Sequence, residues 1–120
     1  IWVIKNFFKK RKKISKKLSK FSKKELDNFF TVAKSPKKNQ AFTFLTAQST
    51  LPFGRVLIIV SRKYGNAPQR NLLKRRLKSI FWEEKLYEKK IDLAVIARPS
   101  GKSYDFDQLK TLVLEIFARY

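Results

Sequence analysis

The order of apolar runs along this chain predicts an α/β fold, a two-layer α/β sandwich with elements in the order α-β(2–3)-α-β-α. Three observations predict it. Two runs of strand length read as strands: Val56 to Val60, continuously apolar and so covered on much of both faces, and Ile91 to Ala97, mostly apolar. Two amphipathic stretches, one on each side of these runs, open with helix-capping signatures. Between the two runs lies a long segment whose leucines recur at helical spacing.

The first helix is predicted at about 22 to 34. Ser22 suits the N-cap, Glu25 its capping-box partner, and Phe21 and Leu26 the staple positions. Leu26, Phe29, Phe30 and Ala33 then form one apolar stripe. SPKKNQ is turn material, and Ala41 to Thr46, rich in aromatic and β-branched residues, reads as a strand, with room for a short edge strand near 37 to 41. STLPFG turns the chain into Val56–Val60. Pro68 suits the first helical position of a helix over about 68 to 87, and Ala67 before it is steered away from helical angles. Leu73, Leu77, Ile80 and Phe81 form its buried stripe, while Asn71, Arg75 and Lys78, with Arg70 and Lys74 alongside, occupy another face. After the 91–97 strand, Asp105 and Gln108 cap a last helix over about 106 to 118, with Tyr104 and Leu109 as its staple and Leu109, Leu112, Val113, Ile116 and Phe117 on its apolar side.

A length of 120 residues allows one compact domain, expected over 21–120, preceded by a flexible basic arm over 1–20. In that arm IWVIKNFF precedes KKRKK, so apolar residues come before charge, the reverse of a secretory signal. The apolar part is also far shorter than the roughly 20 residues that span a bilayer. The expectation is a cytoplasmic protein with no membrane partner. The chain has neither cysteine nor histidine, which removes disulfides, thiolate metal sites and the commonest general base. Glu83, Glu84 and Glu88 follow a basic segment and are expected to pair with nearby lysines rather than to hold a metal. Gly65 and Gly101 are isolated and make no phosphate-binding loop.

Charge says most about function. The chain carries 29 Lys plus Arg against 9 Asp plus Glu, a formal charge of +20. The excess is +12 over residues 1–40, +8 over 41–80 with no acid at all, and zero over 81–120. Neighbouring cations on one helix face disfavour the helix by a few tenths of a kcal/mol per pair, roughly. A polyanion such as RNA would supply the missing counter-charge, with strongly salt-dependent binding. Asn71 within that face suits either a base edge or a local backbone bond. Most of the 11 phenylalanines must be core. Phe30 and either Phe42 or Phe44 could instead line a groove between helix and sheet, a stacking platform for single-stranded RNA.

Val60-Ser61-Arg62-Lys63-Tyr64-Gly65-Asn66-Ala67, followed by Arg70-Asn71-Leu72-Leu73-Lys74-Arg75-Arg76-Leu77-Lys78, resembles the bacterial ribonuclease P protein component. That family has a strand ending in a V-S-K-K-like segment, a G-x-A turn, and a helix of R-N-R-[apolar]-K-R-x-[apolar]-R form. KKELDNFF resembles its first helix and AFTFL its aromatic strand, so the resemblance runs from Phe21 onward. It implies a sheet with a left-handed βαβ crossover, which general topology rules would not predict. It also implies a role as protein subunit of a ribonucleoprotein that removes the 5′ leader of precursor tRNA, with the hydrolysis performed by the RNA subunit and its bound Mg²⁺. On this resemblance no residue of the chain is catalytic or a metal ligand. Arg62, Lys63, Arg70, Asn71, Lys74, Arg75 and Lys78 would face RNA, and Leu26, Phe30 and Phe44 would line the leader cleft. The chain departs from the family at Leu72, where the signature has its second arginine, at Leu26, where an aromatic is usual, and at Ile59, where a small polar residue is common.

Composition alone is equally compatible with a structural RNA-binding protein of ribosomal type that has no part in cleavage. A peripheral membrane or DNA-coating protein would share the charge but not the ordered motif.

Overall fold

A computed structural model describes residues 21–120; the expected arm over 1–20 lies outside the described residues. The chain forms helix α1 (Lys23–Val32), strands β1 (Lys34–Lys38), β2 (Phe42–Gln48) and β3 (Val56–Val60), helix α2 (Ala67–Glu83), strand β4 (Ile91–Ala97) and helix α3 (Phe106–Phe117). Short 3₁₀ turns at Arg62–Tyr64, Leu86–Lys89 and Pro99–Ser103 join them. An edge strand is present but lies at Lys34–Lys38 rather than near 37 to 41, so most of the SPKKNQ segment expected as turn is strand; the predicted α/β order holds.

The sheet order is β1-β2-β4-β3. β2 runs antiparallel to both β1 and β4, whereas β3 and β4 are parallel neighbours connected through α2, a βαβ unit. Asn39 makes the β1–β2 turn, its side-chain carbonyl accepting from the N–H of Ala41 at 2.8 Å and of Phe42 at 2.7 Å.

Register sorts the side chains into two faces. Phe44 lies opposite Val95, which lies opposite Ile58, and this row joins Leu73, Leu77, Ile80 and Phe81 of α2 and Leu109, Val113, Ile116 and Phe117 of α3 in the core. One residue along, the pleat sends the next rows to the opposite face. These are Leu45–Ala94–Leu57 and Thr43–Ile96–Ile59. The stripe expected on α2 is therefore the one it buries.

Helix ends differ from expectation in three places. The first helix stops at Val32 rather than near 34, with Ala33 extended and Lys34 already in β1. Asn66 is the N-cap of α2, its side chain accepting from Gln69 N–H at 3.0 Å while Gln69 Oε1 accepts from Asn66 N–H at 3.0 Å. Ala67 is thus helical and Pro68 second in the helix, because a complete capping box outweighs the local bias of the residue before proline. At the other end α2 stops at Glu83 rather than near 87, since Lys85 takes a left-handed backbone (φ 54°) that no α-helix continues. Both remaining helices carry the expected capping boxes, Ser22 with Glu25 and Asp105 with Gln108. Phe21 rests edge-on against Phe29, their ring centroids 6.3 Å apart.

Candidate nucleic-acid interface

The basic helix is built as a two-sided element. Its apolar stripe fastens it to the sheet, and the advance of about 100° per residue carries Lys74, Lys78, Asn71 and Arg75 away from that stripe on one flank. Asn71 and Arg75 are exposed, and Arg70, Lys74 and Lys78 are half-buried, with Arg70 Nε buried and without a hydrogen-bond partner among the described residues. Arg62 and Lys63 stand exposed on the 3₁₀ turn that leads from β3 into this helix. Among the described residues none of these six cations has an acidic partner; the acids bind elsewhere. Asn71 makes no side-chain hydrogen bond among the described residues, and the local capping role falls to Asn66.

Four of the acids hold elements together. Glu84 pairs with Lys110 at 2.9 Å, joining α2 to α3, so its lysine comes from another helix and not from the neighbouring basic segment. Glu115 pairs with Lys37, joining α3 to the edge strand. Glu25 and Asp92 both bind Arg55, the one buried cation among the described residues and a residue the sequence did not single out. Its guanidinium also lies over the Phe21 ring, 4.0 Å from the centroid. Gly54-Arg55 at a strand start carries no signal for this, because the partners lie 30 and 37 residues away.

Above this network α1 crosses one end of the sheet face opposite the core. Asn28, Phe29, Thr31 and Val32 of α1 and Ala47, Gln48 and Asp92 of the sheet line a cavity of about 260 Å³. Phe29 is buried, Leu26 half-buried, and Phe30 46% exposed, its ring edge-on to Phe29 with centroids 5.4 Å apart. Beyond α1 the same sheet face offers Leu45, Leu57 and Ile96, all half-buried, and Ile59, 38% exposed.

Phe44 does not belong to this groove. It is wholly buried, as is Phe42, on the α2/α3 side of the sheet, where Phe42 packs against Phe44 and edge-on against Tyr104. The expectation that Phe44 is a partly exposed cleft residue is corrected by parity: odd-numbered positions of β2 face the groove and even-numbered ones face the core. Leu45 takes the place expected for Phe44. Both faces of this strand carry apolar side chains, so its alternation could not reveal which face the helices cover.

No three Asp and Glu residues converge as a metal-ligand group among the described residues. Among the described residues no helix is long and apolar enough to cross a membrane.

Comparison with known proteins agrees with the motif. The ribonuclease P family model matches residues 4–120. The ribonuclease P protein component of Onion yellows phytoplasma is 32% identical over 117 residues, covering 93% of this chain and 79% of the relative. That of Lactococcus lactis is 33% identical over 87 residues, covering 72% and 74%. Among solved structures, the RNase P protein from Thermotoga maritima superposes with a TM-score of 0.70 at 27% identity, covering 85% of this chain and 96% of that one. With the basic helix and its preceding strand and turn in the places the motif requires, the chain belongs to the ribonuclease P protein family.

Proposed function

We propose that this chain is the protein subunit of ribonuclease P, binding the catalytic RNA subunit and the 5′ leader of precursor tRNA and so promoting endonucleolytic 5′ maturation of tRNA in the cytoplasm. The observation that carries this reading is one flank of α2, where Asn71 and Arg75 are exposed, Arg70, Lys74 and Lys78 half-buried, and none of the four cations has an acidic partner among the described residues. Together with Arg62 and Lys63 they take the phosphates of the RNA subunit. Each neutralised phosphate releases counterions, which offsets the mutual repulsion of the lysines and arginines.

The leader, a single strand, lies in the groove beside α1. Phe30 offers a ring for stacking, with Leu26 beside it on the helix, and Leu45, Leu57, Ile59 and Ile96 form the sheet side. Mg²⁺ belongs to the RNA subunit and the substrate in this reading, because the carboxylates of the described residues are scattered rather than convergent. The protein's part is to neutralise charge and to position the leader.

Reconstitution tests the proposal. Mixed with a bacterial ribonuclease P RNA and precursor tRNA at low Mg²⁺, the protein should restore accurate leader removal. Absence of stimulation overturns the proposal, and RNA binding without stimulation favours a structural RNA-binding protein.

A further inference from the structure

The opposite flank of α2 holds a second feature. Arg76 lies one turn beyond Leu72, across the buried Leu73–Leu77 stripe from Lys74 and Lys78. It faces the Pro99–Ser103 turn, and Tyr64, Gln69, Leu72, Arg76, Lys102 and Tyr104 line a concave pocket of about 230 Å³. Close packing holds this turn in place. Gly101 is buried against the sheet, and a Cβ there would come within 2.8 Å of the Phe42 ring and 3.3 Å of Tyr64, so only glycine lets the turn sit close enough to bring Lys102 to the helix.

The polar groups of the lining side chains are weighted heavily toward donors. Arg76 and Lys102 bring cations, and no acid lines the pocket. Gln69 spends its Oε1 on the Asn66 cap, and its NH₂ group has no hydrogen-bond partner among the described residues. Burial pushes the Tyr64 hydroxyl above the usual phenol range, with the charge of Arg76 pulling the other way, so at neutral pH it stays protonated. Such a lining suits a ligand rich in acceptors and negative charge. The pocket is smaller than the roughly 300 Å³ at which sites for free small molecules begin. It fits one group of a polymer already held nearby.

We infer that Arg76 and Lys102, with the amide of Gln69, form a binding site for one backbone phosphate of the RNA subunit, separate from the Arg70–Lys78 flank. The inference rests on the proposed function. It gives α2 two contact lines, so the RNA straddles the helix rather than touching one side of it.

The test uses the holoenzyme reconstituted from full-length protein, with affinity for the RNA subunit measured across potassium concentrations. Arg76→Gln and Lys102→Gln should each weaken binding roughly tenfold. The double variant should weaken it by less than the product of the two, since both groups hold one phosphate. Its log–log salt slope should fall by about 0.7 to 0.9. Arg76→Lys should keep that slope. In phosphate-ethylation interference, one RNA position should be sensitive with the wild-type protein and insensitive with the double variant. Should Arg76→Gln fail to fold, Lys102→Gln, on an exposed turn, carries the same test. An unchanged affinity, slope and interference map in the double variant, with Arg75→Ala still weakening assembly, overturns the pocket and leaves the proposed function standing. Failure of the wild-type protein to bind the RNA subunit overturns both.

Discussion

Arg55 Nη2 lies 3.3 Å from Asp92 Oδ2, with side chains only 3% and 6% exposed, and Asp92 Oδ1 accepts from the Arg55 main-chain N–H at 2.8 Å. One carboxylate thereby binds both the backbone and the side chain of one residue, joining β3 to β4 where the parallel pair begins. The guanidinium continues to Glu25 on α1, so the helix that borders the groove is tied to the sheet through a buried charge. Removing one partner of such a set leaves the other charge buried and unmatched. Arg55→Met should lower the unfolding free energy by about 3–5 kcal/mol, measured by urea denaturation. Arg55→Met combined with Asp92→Leu should recover part of that loss, and a double variant as unstable as the sum of the singles would contradict the coupling.

Acid should loosen the same connection. The Ser22 N–H and then the Arg55 guanidinium hold the Glu25 carboxyl below its usual range. A carboxylate whose folded pKa is depressed stabilises the fold fully above its unfolded value, near 4.3, and progressively less as pH falls through the folded value. Urea unfolding compared at about pH 6 and about pH 3 should show wild type losing more stability than Glu25→Gln, with the difference arising below about pH 4.3. An equal loss in both proteins would show that Glu25 contributes nothing to the acid response.

Phe30 and Phe44 should separate by phenotype. Phe30→Ala should leave stability nearly unchanged, because the ring is half in solvent, and should weaken binding of leader-bearing precursor by about 1–3 kcal/mol with mature tRNA unaffected. Phe44→Ala removes a wholly buried ring and should cost about 3–5 kcal/mol of stability, lowering the binding of both ligands together through the folded fraction. A Phe30→Ala effect equal on both ligands would place that side chain outside the leader groove.

Arg75→Ala should act on docking and hardly on folding, since the side chain is exposed and its guanidinium has no partner within the described chain. Titration of the RNA subunit across salt concentrations should show weaker binding and a log–log slope reduced by about 0.7 to 0.9, the signature of one lost phosphate contact. A changed affinity with an unchanged slope would mean that Arg75 contributes through packing.

The elements themselves were legible because their signals are local. The Ser22/Glu25 and Asp105/Gln108 boxes, the 3.6-residue spacing of Leu73, Leu77, Ile80 and Phe81, and the mostly apolar run 91–97 each report the state of their own segment. The outward cations of α2 were legible for the same reason, since one turn of helix places them. Helix ends were less so. Asn66 competes with Pro68 as a start signal, and Lys85 is left-handed without being glycine or asparagine, the residues that advertise such a backbone.

By itself, then, the sequence determined the order and type of the elements, the basic helix and the family motif that spans β3 and α2. Tertiary structure alone decided which face of β2 meets the helices, sending Phe44 to the core and Leu45 to the groove. It alone brought Arg55 to Glu25 and Asp92, and Arg76 to Lys102. Periodicity within a strand or helix fixes relative directions along that element, whereas the choice between two apolar faces, and the meeting of residues 26 to 37 positions apart, depends on how separate elements pack.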